Sequence, residues 1–210
     1  MKIIMICGSP RKNQSSSQFL LEGLEKKLSQ NNEIIINQMK DYEDSNKITY
    51  DLINADGIIL AFPLYVDGIP ASFLDTLQNI ETAIKENNMH INSKVYVIAN
   101  NGFYDGKQNN IAIQMIWKWC DKCGLQRGTA IGVGAGGMVK MVPIGQGPSL
   151  NLGRALDKLA KDVIDRKSSE TMFVEPNFPR FLYKFAAHGN WRASAKKNGL
   201  KVGDLRRRLQ

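Results

Sequence analysis

The sequence predicts an α/β protein built on a doubly wound parallel sheet, and two observations support this class. Short apolar runs alternate with longer segments whose apolar residues recur at helical spacing, up to about residue 166. At 210 residues the chain is also long enough to bury a core on both faces of such a sheet. Helices that connect successive strands in this way give right-handed crossovers and strands that run in one direction.

Five strands are predicted, at residues 2–6, 33–38, 57–62, 94–99 and 129–133. The third strand, GIILAF, is apolar throughout, which is typical of a strand covered by helices on both faces. Helices are predicted at residues 18–28, 73–85, 111–122 and 150–166, with a shorter one near residues 50–55. The expected strand order is 2-1-3-4-5.

The net charge of +8 is concentrated in the last part of the chain. Residues 1–179 hold 19 basic and 19 acidic residues, whereas residues 180–210 hold nine basic residues and a single acid, Asp204. We therefore expect one domain over residues 1–167 and a basic helical extension over residues 168–210. The sequence shows no transmembrane-length apolar run and no leader pattern, which predicts a cytoplasmic protein.

Three loops with unusual composition leave the carboxyl ends of predicted strands 1, 3 and 4. They span residues 8–17, 63–70 and 100–106. Ligands of parallel sheets bind beyond these ends, near a switch in strand order. The three loops together predict a binding site at one edge of the sheet.

The first loop, GSPRKNQSSS, joins a strand to a helix and predicts an anion site. Open backbone N–H groups and the positive end of the helix dipole face such a loop. Ser9, Ser15, Ser16 and Ser17 add hydroxyl donors, and Arg11 adds charge. The alternatives are a serine that only caps the helix and an arginine that faces solvent or a partner subunit. The spacings GxGxxG and GxxxxGK[ST] do not occur here, so a nucleoside triphosphate loop is not supported.

The second loop places Leu64, Tyr65 and Val66 where a surface loop is normally polar, which predicts contact with a flat, partly apolar ligand. Gly68 is expected to supply unusual backbone angles that point a peptide N–H at a ring nitrogen. Packing against another subunit is the alternative, above all for Ile69.

The third loop, NNGFYDG, combines amides, glycine and aromatic side chains. The backbone and amide groups of Asn100 or Asn101 are expected to pair with a pyrimidine edge. A tight turn is the alternative, because Asn-Gly is a strong turn signal. The glycine-rich residues 134–147, after the fifth strand, are predicted to form a mobile connection.

These three segments, GSPRKNQSSS, FPLYVDGIPASFLDTL and NNGFYDG, together resemble the NADPH-dependent FMN reductase family of the flavodoxin-like fold, over roughly residues 1–165. The resemblance implies FMN with its phosphate at Ser9, Arg11, Ser15 and Ser16, and the loop adds Ser17 as a further donor. It implies that the isoalloxazine ring is flanked by Pro63, Leu64, Tyr65, Val66, Asp67, Asn100, Asn101, Gly102 and Tyr104.

The resemblance also implies an enzyme that takes electrons from NADPH or NADH and passes two of them through FMN to a small acceptor. The acceptor classes are a quinone, a nitro compound, free flavin or a metal chelate, and the expected assembly is a homodimer or homotetramer. No catalytic side chain is assigned, because the cofactor performs the chemistry. Tyr65 and Tyr104 are expected to shape the open face of the ring.

Two other functions remain open at this point. One is an electron carrier like flavodoxin, which a neutral domain with a basic tail disfavours. The other is a flavin-free signalling or binding domain on the same fold. Cys120 and Cys123 are expected to be structural, with redox pairing as the alternative. His90 and His188 show no metal-ligand spacing, so no metal is predicted.

The basic extension contains a predicted helix over residues 180–197. Its apolar stripe consists of Phe181, Phe185, His188, Trp191 and Ala195. Such a helix can pack on the core or a partner subunit, lie on an anionic membrane surface, or contact nucleic acid. We expect packing, do not favour membrane contact and do not expect nucleic acid.

Overall fold

The computed structural model describes residues 1–11, 15–42 and 45–206, and its centre is a six-stranded parallel sheet. The strands are β1 (Lys2–Cys7), β2 (Glu33–Gln38), β3 (Gly57–Pro63), β4 (Lys94–Asn100), β5 (Gln126–Val133) and β6 (Met172–Val174). The helices are α1 (Ser16–Leu28), α2 (Ser45–Ile53), α3 (Ala71–Glu86), α4 (Asn110–Cys123), α5 (Leu150–Ile164) and α6 (Arg180–Lys197). This arrangement confirms the predicted doubly wound α/β fold.

The prediction of five strands was wrong by one strand. The observed order is β2-β1-β3-β4-β5-β6, so the expected order continues with β6 at the edge. β6 pairs in parallel with β5, with Met172 opposite Ile131 and Val174 opposite Val133. A strand of three residues is too short to show a periodic pattern, so its pairing partner and not its sequence identifies it.

Successive residues of the central strands face two separate cores. Ile4 and Ile6 of β1 lie in the core that includes the apolar residues of α3 and α4. Ile3 and Met5 of the same strand lie in the core that includes the apolar residues of α1 and α5. All four side chains are completely buried. Helices therefore cover both faces, which leaves the ends of the strands as the place for a site.

The register of the sheet brings the carboxyl ends of four strands to one level. Cys7 lies opposite Ala61, Pro63 lies opposite Asn100, and Asn100 lies opposite Val133. The segments that follow β1, β3, β4 and β5 therefore begin at the same edge.

The chain divides into two compact units, Met1–Pro176 and Asn177–Gln210. The first contains the sheet and α1–α5; the second contains α6 and the short 3₁₀ helix Val202–Arg206. The predicted domain boundary after residue 167 and the predicted packing of the extension stay predictions. In the described ranges, no helix has both the length and the apolar composition needed to cross a bilayer. The cytoplasmic location also stays a prediction.

Candidate functional site

Backbone hydrogen bonds hold the predicted loops together where they leave the sheet. The Gly8 N–H donates to the Ala61 carbonyl over 2.8 Å, and the Leu64 N–H donates to the Asn100 carbonyl over 2.8 Å. The Asn101 N–H donates to the Val133 carbonyl over 3.0 Å. Each bond continues the strand ladder by one residue, so the first part of each loop is as well fixed as the strand before it.

A cavity of about 240 Å³ opens at this edge of the sheet. Eleven of the fourteen predicted site residues line it: Ser9, Arg11, Ser15, Ser16, Ser17, Pro63, Leu64, Tyr65, Asn100, Asn101 and Gly102. The other three, Val66, Asp67 and Tyr104, are not part of the lining. Residues 12–14 of the first loop lie outside the described residues.

Ser15 caps the N-terminus of α1, which is the alternative that the sequence left open for one of the serines. Its Oγ accepts a hydrogen bond from the Gln18 N–H over 3.0 Å, and the Cys7 Sγ lies 3.7 Å from the same oxygen. The bond from Gln18 uses a lone pair of the hydroxyl and not its hydrogen. Capping therefore does not prevent Ser15 from donating to an anion in the cavity.

The next two serines use their hydroxyl groups in opposite ways. Ser16 Oγ donates its hydrogen to the Gly136 carbonyl over 2.8 Å. Ser17 Oγ accepts a hydrogen bond from Asn100 Nδ2 over 2.8 Å, which does not use its hydrogen. In the described part of the chain, no hydrogen bond uses the backbone N–H of Ser16 or Ser17. Among the described residues, the start of α1 thus offers two N–H groups, and no acceptor takes the hydrogen of the Ser17 hydroxyl.

A buried serine and an exposed arginine form the other end of the first loop. Ser9 is buried, and its Oγ accepts a hydrogen bond from the Arg11 N–H over 3.4 Å. The Arg11 side chain is exposed and, among the described residues, is the only charged side chain in the cavity wall. The cavity therefore has a positive side at the start of α1.

The loop after β3 contains a tight turn whose strain lies at a different residue from the one predicted. The Tyr65 N–H and the Gly68 carbonyl are 3.0 Å apart, and the Gly68 N–H donates back to the Tyr65 carbonyl over 3.1 Å. Val66 and Asp67 adopt positive φ angles of 50° and 58°. Gly68 does not, so the expectation that Gly68 supplies the unusual backbone angles was wrong. The turn pairs the Gly68 N–H internally and places the fully exposed Val66 at its tip.

The loop after β4 uses its amide side chains to build itself. Asn100 is buried and donates both Nδ2 hydrogens, to Ser17 Oγ over 2.8 Å and to the Phe62 carbonyl over 3.0 Å. Asn101 Nδ2 donates to the Asp105 carbonyl, and Asn101 Oδ1 accepts from the Phe103 N–H. These bonds use both side-chain N–H groups of Asn100 and one of Asn101. Both residues line the cavity, and pairing of their remaining groups with a pyrimidine edge stays a prediction.

The last residue of the predicted aromatic set, Tyr104, points to the first unit's C-terminal segment. Its Oη donates to the Pro176 carbonyl over 3.4 Å. The prediction that Tyr104 shapes the open face of a ligand is therefore not supported by the cavity lining.

Two glycines after β5 line the cavity and were missed by the sequence analysis. The Gly136 N–H donates to the Asn101 carbonyl over 2.6 Å, and a Cβ at Gly136 would lie 2.8 Å from that same oxygen. A Cβ at Gly137 would meet no atom within 4 Å, so this residue borders open space. The available signal was a Gly-Ala-Gly-Gly run directly after a predicted strand. Composition alone had predicted a mobile connection there.

The three cysteines are free and buried. Burial raises the pKa of the Cys123 thiol to about 12 and raises the pKa of the Cys120 thiol above its ordinary range. A protonated, buried thiol is a poor nucleophile, which supports a structural role for this pair. Within the described residues, no group of three or more metal-ligating side chains comes together.

Comparison with protein families identifies the family to which this chain belongs. The sequence model of the NADPH-dependent FMN reductase family matches residues 1–113, which is more than half of the chain. The matched part contains the first three of the loops that border the cavity. A comparison with curated proteins finds no match of significance.

Comparison with solved structures shows the same fold. The NAD(P)H:quinone oxidoreductase from Methanothermobacter marburgensis is 14% identical with a TM-score of 0.58, over 80% of this chain and 97% of that one. An azoreductase from Bacillus anthracis strain Sterne is 14% identical with a TM-score of 0.54, over 78% and 99% of the two chains. The rubredoxin oxygen:oxidoreductase from the anaerobe Desulfovibrio gigas is 16% identical with a TM-score of 0.56, over 79% of this chain. The match spans 35% of that longer protein.

The family match covers the strand, loop and helix whose serines and arginine border the cavity, and the structural neighbours share the sheet topology that creates it. The chain thus belongs to the NADPH-dependent FMN reductase family and is an FMN reductase-like oxidoreductase that uses FMN as cofactor and NAD(P)H as co-substrate.

Proposed function

We propose that the cavity at the carboxyl edge of the sheet is the FMN site of this enzyme. The observation that carries the proposal is the donor set at the start of α1, next to the only charged side chain that the described residues place in the cavity wall. A phosphate monoester needs several donors on one side, and this group supplies backbone N–H groups, hydroxyl groups and a guanidinium. The residues present therefore fit the phosphate end of FMN.

The apolar part of the cavity lining fits the ring end of FMN. Pro63, Leu64 and Tyr65 form an apolar wall, and Gly102 and Gly137 leave open space beside it. A flat ring fits between an apolar wall and residues without side chains. When bound, FMN supplies the redox chemistry, accepting a hydride from NAD(P)H and giving two electrons to the acceptor. The roles left to the chain are to bind, orient and shield, so we assign no acid or base.

We propose a quinone as the first acceptor to test. Tyr65 is 44% exposed and Phe103, which follows the cavity residue Gly102, is 56% exposed. Two exposed aromatic side chains at the rim suit a flat acceptor. One structural neighbour is an NAD(P)H:quinone oxidoreductase and another is an azoreductase, which supports conjugated acceptors as the class. Nitro compounds, free flavin and metal chelates form the comparison set.

The test of the cofactor site compares FMN with riboflavin, which lacks the phosphate. We expect Arg11→Gln to weaken FMN binding to the flavin-free protein by about tenfold, and to leave riboflavin binding unchanged. Lys161→Gln, which removes an exposed charge on α5, is the matched control and should change neither affinity. Equal losses for both ligands, or no loss of FMN affinity, would contradict the proposed position of the phosphate.

The test of the reaction is anaerobic reduction of the purified holoprotein. NADPH and NADH should each be added to the flavin-loaded enzyme, with bleaching of the visible flavin spectrum as the readout. Reoxidation by quinone, nitro compound, free flavin and ferric chelate then ranks the acceptors. A quinone that reoxidises the enzyme more slowly than the other three would rule it out as the preferred acceptor.

We also propose that the chain forms a homodimer through the groove between α3 and α4. The groove has a volume of about 380 Å³ and is lined largely by apolar side chains, including Ile69, Leu74, Ile111, Met115 and Trp119. Ile111 is 65% exposed, and Leu74 and Met115 are each more than a third exposed. Contiguous exposed apolar residues of this kind mark interaction surfaces.

The charges around the groove suit a second copy of the same surface. Glu81 lies on α3, where it also pairs with Lys85, and Lys118 and Lys122 lie on α4. In a two-fold interface that places the α3 of one copy against the α4 of the other, acid meets base twice. Ile111→Glu should convert the dimer to a monomer in light scattering, whereas Ile164→Glu, an exposed isoleucine of α5, should not. A wild-type monomer at micromolar concentration would overturn this assembly.

A further inference from the structure

The extension carries a helix whose aromatic and basic side chains share one face. α6 has 18 residues and therefore a length of about 27 Å. At about 100° per residue, Phe181, Phe185 and Trp191 fall within an arc of about 120°, and Lys184 and Arg192 fall within the same arc. The predicted stripe is therefore not purely apolar, because cations stand between its aromatic side chains.

The large side chains of this face are exposed. Phe181, Phe185 and Trp191 are 63%, 73% and 66% exposed, whereas Ala195 of the same stripe is buried. The segment after α6 adds exposed aliphatic side chains, at Leu200 and Leu205. Three exposed aromatic residues on one short helix form a concentrated apolar surface that single scattered residues do not.

The charge of the extension has no counterpart in the rest of the sequence. α6 contains five basic residues and no acidic one. Residues 1–179 are neutral in sum, and a second copy of the extension carries the same positive charge. A first part that is neutral in sum and a second copy with the same charge give the extension no net electrostatic attraction, whereas an anionic partner does.

We propose that α6 binds the surface of an anionic lipid membrane. Phe181, Phe185 and Trp191 insert at the boundary between headgroups and acyl chains, and Lys184 and Arg192 reach the lipid phosphates. Trp is one of the two residue types, with Tyr, that are enriched at the interface between water and lipid. The proposal replaces our sequence-based preference for packing of this helix on the core or a partner subunit.

Lipid fits this surface better than nucleic acid does. Nucleic acid would accept the cations and stack on the aromatic rings. It would leave the aliphatic side chains Leu182, Leu200 and Leu205 in water, because they have no ring to stack on a base. A lipid interface takes up aromatic and aliphatic side chains alike.

The experiment is sedimentation of the full-length holoprotein with two kinds of vesicle, one of phosphatidylcholine with phosphatidylglycerol and one of phosphatidylcholine alone. We expect binding to the anionic vesicles that weakens as salt is raised, and little binding to the neutral ones. Vesicles with brominated acyl chains should quench Trp191 emission and leave the buried Trp117 and Trp119 unaffected. Absence of binding to anionic vesicles, or the same binding to neutral ones, would overturn the proposal.

Two pairs of variants locate the binding surface. Lys184→Glu with Arg192→Glu should weaken binding to anionic vesicles by about 30-fold or more, from roughly fivefold for each cation removed. Lys107→Glu with Lys161→Glu makes the same change of net charge on the first unit and should weaken binding less than about threefold. Phe181→Ser with Phe185→Ser, which keeps Trp191 as the reporter, should also abolish the quenching by brominated lipid. Equal losses in the two charge pairs would overturn the proposal, as would tighter binding to a single-stranded oligonucleotide than to the anionic vesicles.

Flavin content and NAD(P)H oxidation of these variants should stay at wild-type values, because none of the substituted residues lines the cavity. The proposal is therefore independent of the acceptor and of the flavin site. A release of α6 variants from a dimer, measured by light scattering without lipid, would show instead that the helix packs on a partner subunit.

Discussion

Two segments that line the cavity, the start of α1 and the end of β4, use their polar side chains in different ways. At the start of α1, Ser17 accepts a hydrogen bond, and no acceptor among the described residues takes its hydroxyl hydrogen or the N–H groups beside it. At the end of β4, Asn100 donates both of its amide hydrogens to protein acceptors. The two residues are joined by one hydrogen bond, from Asn100 Nδ2 to Ser17 Oγ. This bond uses an amide hydrogen of Asn100 but only a lone pair of Ser17. A polar residue at a sheet edge is therefore a ligand-binding group only if the fold leaves it a hydrogen or a lone pair.

The largest expected effect comes from removing the structural partner in this pair. Asn100→Ala should lower the free energy of unfolding by about 2–3 kcal/mol, because the buried Phe62 carbonyl loses its donor. Urea unfolding of the flavin-free protein measures this change without a contribution from ligand binding. The control is Asn54→Ala, because the Asn54 side chain donates to the Tyr50 carbonyl at the surface. This substitution should change the free energy of unfolding by less than about 0.5 kcal/mol. Equal effects would mean that Asn100 is not a structural residue.

A second internally paired group, at Asp162, should give a large effect that depends on pH. Asp162 is buried and accepts hydrogen bonds from Lys158 Nζ and Thr129 Oγ1, each over 2.8 Å. Burial alone would raise the pKa of this carboxyl, but hydrogen bonds with Lys158, Thr129 and Ser169 and the charge of Lys158 together outweigh burial and hold the pKa below the ordinary 3.8. A carboxyl whose pKa is lower in the folded state than in the unfolded state stabilises the protein at any pH above its unfolded-state pKa. This stabilisation is lost as the pH falls through the folded-state pKa.

Asp162→Asn should therefore lower the free energy of unfolding by about 2 kcal/mol at neutral pH. The difference from wild type should shrink once the pH falls below 3.8, and urea unfolding across that range measures it. The control is Asp157→Asn, which changes an exposed carboxyl that pairs with Lys27. It should lower the free energy of unfolding by less than about 1 kcal/mol. A difference that grows as the pH falls would contradict the direction of the Asp162 shift.

The α1 side of the comparison is tested by two adjacent serines. Ser17→Ala should weaken FMN binding by about tenfold, because the hydroxyl that can donate to the phosphate is lost. Ser16→Ala should weaken it by less than about threefold, because its hydrogen is already held by the Gly136 carbonyl. Titration of the flavin-free variants with FMN gives both affinities, and riboflavin should bind both variants equally well. A larger effect at Ser16 than at Ser17 would reverse the assignment of donors.

The smallest effect concerns strain at the rim of the cavity. Val66 is a β-branched residue at a φ of 50° and is fully exposed, so its side chain gains nothing from packing there. Val66→Asn should raise the free energy of unfolding by about 1 kcal/mol, because Asn tolerates this conformation. Val66→Ala keeps the Cβ atom and should raise the free energy of unfolding by less than Val66→Asn does. If urea unfolding shows no gain for either variant, the turn stores no strain at Val66.

The sheet and helices were largely predictable because their patterns are local and repeated. β1, β3 and β4 were predicted to within one residue of their ends, and α6 over its whole length. An apolar run identifies a buried strand whatever its neighbours are. β6 lacked such a pattern, because three residues next to a polar segment become a strand only by pairing with β5.

The site was predictable as a place and less so in its chemistry. The sequence pointed to the loops after three strands, and their residues do form one cavity. It did not reveal that Gly136 closes against Asn101, or that Val66 rather than Gly68 takes the unusual backbone angle. Both facts depend on contacts between segments that are distant in the chain or on how a turn closes.

From the sequence alone came the fold class, the edge of the sheet at which the cavity lies, the family and the separation of charge between domain and extension. These properties depend on the order and composition of residues, which periodicity and motifs record directly. The tertiary structure alone decided which hydroxyl groups keep a hydrogen, which amides are used up in the loops and which side chains of α6 stay exposed. Those properties depend on the geometry between partners far apart in the chain, such as Ser16 with Gly136 and Ser17 with Asn100. A hydrogen bond is used or left available only when both of its partners are in place.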